Sequence, residues 1–411
     1  MSRRDRDFDI IIFGATGFTG RLVAEYMCRN YGIDQQFRWT IAGRNRDKLA
    51  ALRAKLVELD PKAISLPLVV ADSFDEAALT ELAGRCEVVC TTVGPYAQYG
   101  AELVRACVAM QTDYCDLCGE STFIREMIDA HHESAKATGT RIVHACGYDS
   151  IPSDLGVLYA QQAFHHHFGR CASEIRFFTG KTSGGISGGT IASMAGLLER
   201  ASDPAVRRIL GNPYALNPKD GVRGLDGQDQ RTLRFDSRAA RWTAPFMMAG
   251  VNTRVVRRSH SILGYPYGHH FRYSEVMGFK KGLRGWWQAT RVTGFLAFFV
   301  TMMLWGPTRQ LLRQTLLPAP GQGPDQQKRE NGYFRVHLMA LDAQDECWVT
   351  VGDDLDPGYS STAKMLAESA IGLVCQHSQL EGRGGVLTPA TALGSVLIER
   401  LQQANMMFRQ V

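Results

Sequence analysis

The sequence predicts an α/β protein in which a doubly wound parallel sheet, in residues 1–155, is followed by a second, α+β domain. Two observations predict the sheet. Apolar runs alternate with helical periods between residues 8 and 146, and the first run ends in a glycine-rich turn. The second domain is predicted because this alternation stops near residue 156. We place that domain at 156–387 and expect a C-terminal helix in 388–411 that packs back on the first domain.

Six strands and five helices are expected in the first domain. The apolar runs lack alternation, which indicates strands buried on both faces, and helical connections imply parallel pairing. The expected strands are 8–13, Phe37–Ala42, Leu66–Val70, Glu87–Thr92, Asp113–Leu117 and Arg141–Cys146. The expected helices are 19–31, 45–59, 74–84, 99–110 and 120–138. Ligands of such sheets bind beyond the carboxyl ends of the strands, so the residues after each strand are site candidates.

The first strand is followed by a turn whose glycines are three residues apart, Gly14-Ala15-Thr16-Gly17-Phe18-Thr19-Gly20. Glycine lets the backbone turn tightly and approach a pyrophosphate, and the N–H groups at the start of the next helix point at that anion. The turn is therefore a candidate dinucleotide-binding segment of Rossmann type. The alternative is a strand–turn–helix junction without a ligand.

Basic residues follow the second strand. A cofactor without a 2′-phosphate usually meets an Asp or Glu at this position, whereas Arg44 and, one helical turn on, Lys48 fit a 2′-phosphate. The sequence therefore favours NADP over NAD, with a solvated helix start as the alternative. Asp72, after the third strand, is expected at the adenine end.

The fourth strand is followed by the candidate nicotinamide-binding turn, Val93-Gly94-Pro95-Tyr96. A Gly-Pro turn brings backbone close to the ring. Tyr96 and Tyr99 either face the crevice or pack in the core.

The sixth strand is followed by polar side chains before the next helix begins. Ser153 or Asp154 is expected to cap that helix, which leaves Tyr148, Asp149 and Ser150 for function. Tyr148 is the first candidate proton donor, since a tyrosine with a pKa of about 10 donates without being ionised beforehand. Asp149 is the second candidate.

The second domain mixes strands with helices and shows no internal repeats. Strands are expected at Ser173–Lys181, Tyr333–Leu341 and Glu346–Gly352, and residues 201–240 are expected to form a long loop or insert. Helices are expected at Ile191–Arg200, opened by Ser187–Thr190, and at Ser360–Gln376 and Thr388–Leu401.

Composition limits the remaining possibilities. With 45% hydrophobic and 21% charged residues, the chain is typical of a soluble globular protein. Its polar N-terminus lacks an apolar stretch of signal-peptide type, so we expect a cytoplasmic protein. Most of its ten cysteines lie in apolar patterns. The single CxxC, Cys115–Cys118, lacks a second pair or suitably spaced histidines, so no metal site is expected.

A basic excess surrounds one apolar segment. Residues 253–315 contain ten Arg or Lys and a single acidic residue, Glu275, while residues 292–307 carry no charge. As a helix, the uncharged part spans roughly 24 Å, against about 30 Å for a hydrocarbon core. Basic flanks and terminal tryptophans suit a helix in 286–307 that lies on an anionic membrane surface. A buried helix or a dimer contact is the alternative. Basic residues around an apolar helix, rather than an RNA-reading motif, argue against nucleic-acid binding.

Several motifs together resemble the saccharopine dehydrogenase-like oxidoreductases. The motifs cover nearly the whole chain: GATGFTG, the AGR-x-x-x-KL of Ala42–Leu49, TTVGPYAQYG, YCDLCGE, CGYDSIPSDLG, SGGTIASM, the PFMMAGVNTRVVRRS of Pro245–Ser259 and GYSSTAKMLAESA. They are most similar to the branch with the mycobacterial trans-acting enoyl reductases and the animal saccharopine dehydrogenase-like protein. The resemblance implies an NADP-binding domain with a substrate and dimerisation domain. For some members it implies lipid substrates and association with membranes or lipid droplets.

From these observations we expect an NADPH-dependent oxidoreductase, present as a homodimer, that reduces a lipid-like or acyl substrate in the manner of an enoyl reductase. One alternative is imine reduction in amino-acid metabolism, as in the saccharopine reductases. That reaction needs a basic pocket for two carboxylates, and the expected loops hold no clear pair of carboxylate-binding arginines. The other alternative is a non-catalytic NADP-binding scaffold at a membrane.

Overall fold

Two seven-stranded sheets organise the part of the chain that the computed structural model describes, residues 6–183, 203–304 and 325–411 with Gly196, Arg200 and Thr308. The first sheet is entirely parallel and the second is mixed. This two-part α/β architecture confirms the predicted fold class. The helix expected at Ile191–Arg200 lies outside the described residues, apart from those two single positions.

The first sheet has the strand order β13-β6-β5-β4-β1-β2-β3. Its order reverses between β1 and β4, which is where a doubly wound sheet opens a crevice for ligands. The strands are β1 Phe8–Phe13, β2 Trp39–Gly43, β3 Leu68–Val70, β4 Cys86–Thr91, β5 Asp113–Cys115, β6 Arg141–Val143 and β13 Gly385–Leu387. Six of them confirm the predicted strands to within three residues at each end.

The expectation of six strands was wrong by one, because β13 comes from the far end of the chain. Its three residues pair in parallel with Arg141–Val143. A run of three residues is too short for any hydrophobic period to reveal it, and the glycine pair Gly384-Gly385 at its start is typical of a turn.

Helices cover both faces of the first sheet. They are α1 Phe18–Tyr31, α2 Arg46–Val57, α3 Glu76–Gly84, α4 Tyr96–Tyr99, α5 Ala101–Ala109, α6 Ser121–Thr138 and α7 Ile151–Phe168. Local sequence sets several boundaries: the Asn45 side chain accepts a hydrogen bond from Lys48 N and starts α2, and Gly139 ends α6 in the left-handed conformation.

The second sheet has the order β14-β12-β11-β7-β10-β9-β8, in which only the β10–β7 pair is parallel. Its strands are β7 Glu174–Ser183, β8 Arg234–Asp236, β9 Arg241–Pro245, β10 Arg272–Phe279, β11 Tyr333–Leu341, β12 Glu346–Asp353 and β14 Met407–Gln410. The helices of this half are α8 Pro204–Gly211, α9 Ala249–Ile262, α10 Leu283–Leu304, α11 Gln326–Glu330, α12 Thr362–Cys375, α13 Pro389–Ala392 and α14 Gly394–Gln403. The expected loop at 201–240 thus contains one short helix and one short strand.

The last third of the chain ties the two sheets together. Helix α12 packs against α1 and the strands β1, β4 and β5 of the first sheet. The helix expected at Thr388–Leu401 is instead two helices, since Gly394, the first residue of the second helix, takes a φ of 52°. The final strand, β14, then joins the second sheet beside β12. The division of the chain at residues 155 and 387 stays a prediction.

Candidate active site

The glycine-rich turn after β1 lies at the reversal point of the first sheet and is built for close approach. Gly14 takes a φ of 85°, which favours glycine, and a Cβ there would lie 2.7 Å from Val93 Cγ2. A Cβ on Gly20 would lie 2.3 Å from the Gly14 carbonyl oxygen. Gly17 N donates to that same carbonyl at 2.9 Å. Any larger residue at these positions would therefore fill the turn or force it apart.

The first turn of α1 leaves its N–H groups for a ligand. Gly17 is the N-cap and makes no side-chain capping bond, and no acidic residue follows in the first turn. Thr16 and Gly17 are exposed, whereas Ala15 is buried. The Phe18 ring packs edge-on against Tyr359 at 4.8 Å between centroids, so this flank of the turn is anchored to the second half of the chain. Such a cradle at an uncapped helix N-terminus fits a pyrophosphate.

The two basic side chains predicted for a 2′-phosphate are both exposed after β2. Arg44 and Lys48 make no side-chain hydrogen bond or ion pair within the described residues. Asp72 follows β3 and is half-buried, and one of its carboxylate oxygens accepts from Phe74 N at 2.9 Å. Arg44 and Lys48 are thus available to a ligand, while Asp72 also shapes its own turn.

The turn after β4 offers backbone rather than side chains. Gly94 is exposed and Val93 and Pro95 are half-buried. Tyr96 packs in the core instead of facing the crevice: its hydroxyl donates to Thr91 O at 3.3 Å and accepts from Leu117 N at 3.1 Å. Tyr99 packs edge-on against Phe74. Tyr96 thus takes the packing alternative, whereas Tyr99 is half-buried against an exposed ring.

Sequence reasoning missed the group that holds this turn. The buried carboxylate of Glu120 accepts from Tyr96 N at 2.9 Å and from Ala97 N at 3.1 Å. Next to it, Asp116 accepts from the Tyr114 hydroxyl at 2.8 Å and lies 2.7 Å from His144 Nδ1. The YCDLCGE motif contains both carboxylates, but a motif does not tell which polar groups face inward.

The loop after β6 carries the two candidate proton donors close to the second half of the chain. Tyr148 packs edge-on against Phe334 of β11 at 4.8 Å, and its backbone N–H donates to Thr362 Oγ1 at 3.1 Å. Burial raises the pKa of Tyr148. Its hydroxyl makes no hydrogen bond within the described part of the chain, so it is available to a substrate.

Asp149 is the more unusual of the two donors. Burial alone raises its pKa to about 6, and its carboxylate makes no hydrogen bond or ion pair with any described residue. A Cβ on Gly119 would lie 3.3 Å from Asp149 Oδ2, so the carboxylate lies over the backbone of the neighbouring β5 loop. An acid with a pKa near neutrality and no partner fits proton transfer.

The capping roles expected of Ser153 and Asp154 were wrong. Helix α7 begins after Ser150, which is its N-cap but makes no side-chain capping bond. Asp154 instead accepts from Ser259 Oγ at 2.5 Å and from Ala390 N at 2.8 Å, and so joins α7 to α9 and α13. Burial raises the pKa of Asp154 to about 6 despite these bonds. The proline at position 152 had suggested a helix start further along the chain.

Helix α9 carries three buried arginines that would have been candidates for binding carboxylates. Each is occupied: Arg254 pairs with Asp229 at 3.1 Å, Arg257 pairs with Asp226 at 2.6 Å, and Arg258 donates to the carbonyls of Leu216 and Val386. These arginines hold the long segment before β8 in place. They do not form an open basic pocket.

Helix α10 contains most of the uncharged segment and has two different sides. Ala289 and Met303 are buried, and the helix packs against β9 and β10. Its outer side exposes Leu283 by 80%, Trp287 by 59%, Phe295 by 66% and Phe298 by 63%. Within the described residues, no helix is long and apolar enough to cross a membrane. No cluster of three metal-ligating side chains occurs in that part of the chain either.

Comparison with known proteins decides the family. A trans-acting enoyl reductase of Mycobacterium tuberculosis (strain ATCC 25618 / H37Rv) is 39% identical over 420 residues, with 98% of each chain covered. The chain belongs to the saccharopine dehydrogenase-like oxidoreductases, in the branch of the trans-acting enoyl reductases. A trans-acting enoyl reductase of Mycobacterium ulcerans (strain Agy99) is 37% identical over 432 residues, again with 98% of each chain covered.

The cofactor follows from the same comparison. Residues 10–143 match the family model described as the saccharopine dehydrogenase NADP binding domain. The saccharopine dehydrogenase (L-Glu forming) of Saccharomyces cerevisiae has a similar fold, with a TM-score of 0.53 at 13% identity over 98% of this chain and 100% of that one. This member of the family is therefore an NADP-dependent oxidoreductase, as its sequence predicts.

Proposed function

We propose that this protein reduces an activated carbon–carbon double bond in a lipid-like or acyl substrate, as an NADPH-dependent enoyl reductase. The observation that carries the proposal is the full-length similarity, at 36–39% identity, to proteins named trans-acting enoyl reductase. NADPH, when bound, supplies the hydride, which adds to the β-carbon of the double bond. The remaining work of the chain is to bind the cofactor, orient the substrate and deliver one proton to the α-carbon.

The cofactor residues follow from the carboxyl edge of the first sheet. We assign the pyrophosphate to the turn Gly14–Gly20, the 2′-phosphate to Arg44 and Lys48, the adenine end to Asp72, and the nicotinamide to Val93-Gly94-Pro95-Tyr96. The uncapped helix and the glycine contacts support the first assignment. The side chains of Arg44 and Lys48, which are exposed and have no partner among the described residues, support the assignment of the 2′-phosphate. At the nicotinamide end, exposed backbone supports a role for Val93 and Gly94, while Tyr96 acts by holding the turn.

We assign the proton to the loop after β6, with Asp149 as the leading donor and Tyr148 as the second. A general acid works best when its pKa is near the working pH, and the pKa of Asp149 is raised to about 6. Tyr148 is the weaker acid, because burial raises its pKa, but it stays protonated and can orient the substrate carbonyl.

The test measures NADPH oxidation in two separate assays. One assay contains a long-chain trans-2-enoyl thioester, and the other contains a cyclic imine that carries two carboxylates. Oxidation with the thioester alone supports the proposal. Oxidation with the imine alone would replace it by the saccharopine-reductase alternative, for which the paired arginines of α9 offer no support. NADPH binding without oxidation in either assay would favour a non-catalytic scaffold.

We also propose that the protein is cytoplasmic and attaches to an anionic membrane surface through the outer side of α10. The exposed aromatic side chains lie on α10, which carries Arg284 and Arg291 and is preceded by Lys280 and Lys281. A lipid substrate would be met at this surface. Vesicle flotation tests this. The double substitution Phe295→Ser and Phe298→Ser should abolish binding to phosphatidylglycerol vesicles, and Ile64→Ser, which changes another exposed apolar residue, should not.

We further propose a homodimer. Light scattering on the same variants distinguishes membrane attachment from a dimer contact. If the double substitution converts a dimer to a monomer and the wild-type protein does not bind vesicles, the outer side of α10 is a dimer contact instead.

A further inference from the structure

A second buried carboxyl lies behind the proposed donor loop, and no motif pointed to its role. Glu275 of β10 is 2% exposed, although it is the single acidic residue among ten basic ones in its segment. No described Lys or Arg makes an ion pair with it. An unpaired carboxylate in such a place is costly, so its surroundings need an explanation.

Neutral donors surround Glu275. The Tyr273 hydroxyl donates to Oε1 at 2.7 Å, and Asn252 Nδ2 donates to Oε2 at 3.0 Å. Burial raises the pKa of Glu275 to about 7. A cavity of about 350 Å³, lined in part by Glu275, Tyr273 and Asp229, gives it a route to solvent. With its pKa raised toward neutrality and a cavity beside it, Glu275 is the group of this cluster whose protonation would change near pH 7.

The hydrogen-bond chain continues into the donor loop. Ser150 Oγ donates to Asn252 Oδ1 at 3.2 Å. Ser150 is the N-cap of α7, where a serine hydroxyl ordinarily accepts from the helix backbone, yet it makes no such bond. The Ser150 hydroxyl thus gives up a capping bond and instead connects Glu275, through Asn252, to the residue next to Asp149.

The geometry points to Glu275 and Asn252 as positioning residues that set the orientation of the Ser150 hydroxyl and thereby hold the loop with Tyr148 and Asp149. This inference rests on the proposed function of that loop. When Glu275 is ionised, Asn252 donates to it and accepts from Ser150. When Glu275 takes up a proton from the cavity, it donates to the Asn252 oxygen instead. The amide then turns round and donates to Ser150 Oγ, which frees the Ser150 hydrogen for another acceptor.

The charged and titratable groups that act on Glu275 come from three directions. Asp229, in the segment before β8, adds negative charge but is itself paired with Arg254 at 3.1 Å. Tyr273 lies on the same strand, and the Tyr148 ring of the donor loop feels the charge of Glu275. Because no described Lys or Arg pairs with Glu275, its protonation state is the part of this hydrogen-bond chain that changes with pH.

The test compares wild type with Glu275→Gln, Asn252→Ala and the control Glu346→Gln, an exposed glutamate of the second sheet. Amide hydrogen exchange is measured for the peptide 147–154 at about pH 6 and about pH 8. Glutamine mimics the protonated carboxyl, so Glu275→Gln should exchange like wild type at the lower pH and roughly tenfold faster at the higher pH. Asn252→Ala should exchange faster at both, and the control should match wild type.

Turnover gives the second readout. With the enoyl thioester, kcat of the wild type should change with pH near pH 7, and this change should be absent in Glu275→Gln. The dissociation constant of NADPH should be the same for both proteins. Equal exchange of wild type and Glu275→Gln at both pH values would overturn the inference, as would an unchanged kcat profile. If no thioester is reduced, the proposed function fails, while the exchange measurement still decides whether Glu275 positions the loop.

Discussion

Two loops at the same edge of the first sheet, each with a tyrosine, differ in what their polar groups do. In the loop after β4, the Tyr96 hydroxyl and the backbone N–H groups of Tyr96 and Ala97 all have partners within the protein. In the loop after β6, the Tyr148 hydroxyl and the Asp149 carboxylate have none among the described residues. The first loop therefore presents a fixed backbone surface, whereas the second leaves two polar side chains without a partner among the described residues, as the proposed proton transfer requires.

Substitution of the free carboxyl should have the largest effect. Asp149→Asn keeps the shape of the side chain but removes the proposed acid, so kcat with the enoyl thioester should fall by about 10²–10⁴-fold. NADPH affinity, measured by isothermal titration, should not change. Tyr148→Phe should cost roughly tenfold in kcat by the same reasoning.

One control sharpens this prediction. Asp220→Asn, at an exposed aspartate, should behave as wild type. Normal turnover in both Asp149→Asn and Tyr148→Phe would remove the loop after β6 from the reaction.

The pH dependence of stability is the second prediction. Because burial raises the pKa of Asp149 from 3.8 to about 6, the folded protein binds more protons than the unfolded chain between about pH 4 and pH 6. The free energy of unfolding therefore falls as the pH rises through this window. At pH 7 the ionised Asp149 lowers the free energy of unfolding by at most about 3 kcal/mol, and Asp149→Asn should restore this amount.

Chemical denaturation of wild type and Asp149→Asn at several pH values measures this effect. The difference between the two proteins should grow with pH. A constant difference would mean that Asp149 has an ordinary pKa and would weaken its candidacy as the acid.

The third prediction concerns the fixed loop. Glu120→Ala leaves the N–H groups of Tyr96 and Ala97 without their acceptor, so the free energy of unfolding should fall by about 1–3 kcal/mol. Thermal unfolding of this variant is compared with that of Glu126→Ala, which changes an exposed glutamate of α6, the helix that begins directly after Glu120. Equal stability of the two variants would show that the loop after β4 does not depend on Glu120.

The smallest effect is expected at the cofactor's far end. Arg44→Ala should weaken NADPH binding by roughly tenfold, since a charge-assisted contact to the 2′-phosphate is lost, and leave the weaker binding of NADH unchanged. Lys48→Ala should also weaken NADPH binding, but by less than Arg44→Ala. Lys55→Ala, further along α2, should change the affinity for neither cofactor. Equal losses of affinity for NADPH and NADH would mean that Arg44 attracts either cofactor by its charge and does not contact the 2′-phosphate.

The sequence predicted what depends on local pattern and missed what depends on distant contacts. The parallel strands, the turn from Gly14 to Gly20 and the free side chains of Tyr148 and Asp149 all follow from nearby residues. Strand β13 did not, because three residues from the C-terminal end complete a sheet begun at the N-terminus.

Buried carboxylates were missed for a related reason. Glu120, Asp154 and Glu275 find their partners far along the chain, and their types alone suggest surface or capping positions. The sequence singles out Glu275 in one way, since it is the single acidic residue in a basic segment. Its proposed role could be inferred only from the positions of Asn252 and Ser150 in the structure.

Hydride transfer to the β-carbon is followed in a single turnover of a long-chain trans-2-enoyl thioester, in ordinary water, with NADPH that carries deuterium at both C4 positions. We expect a saturated product with one deuterium on the β-carbon and a hydrogen from water on the α-carbon, formed much more slowly by Asp149→Asn. Bound NADPH that is never oxidised, or deuterium transferred only to an imine carbon, would contradict it.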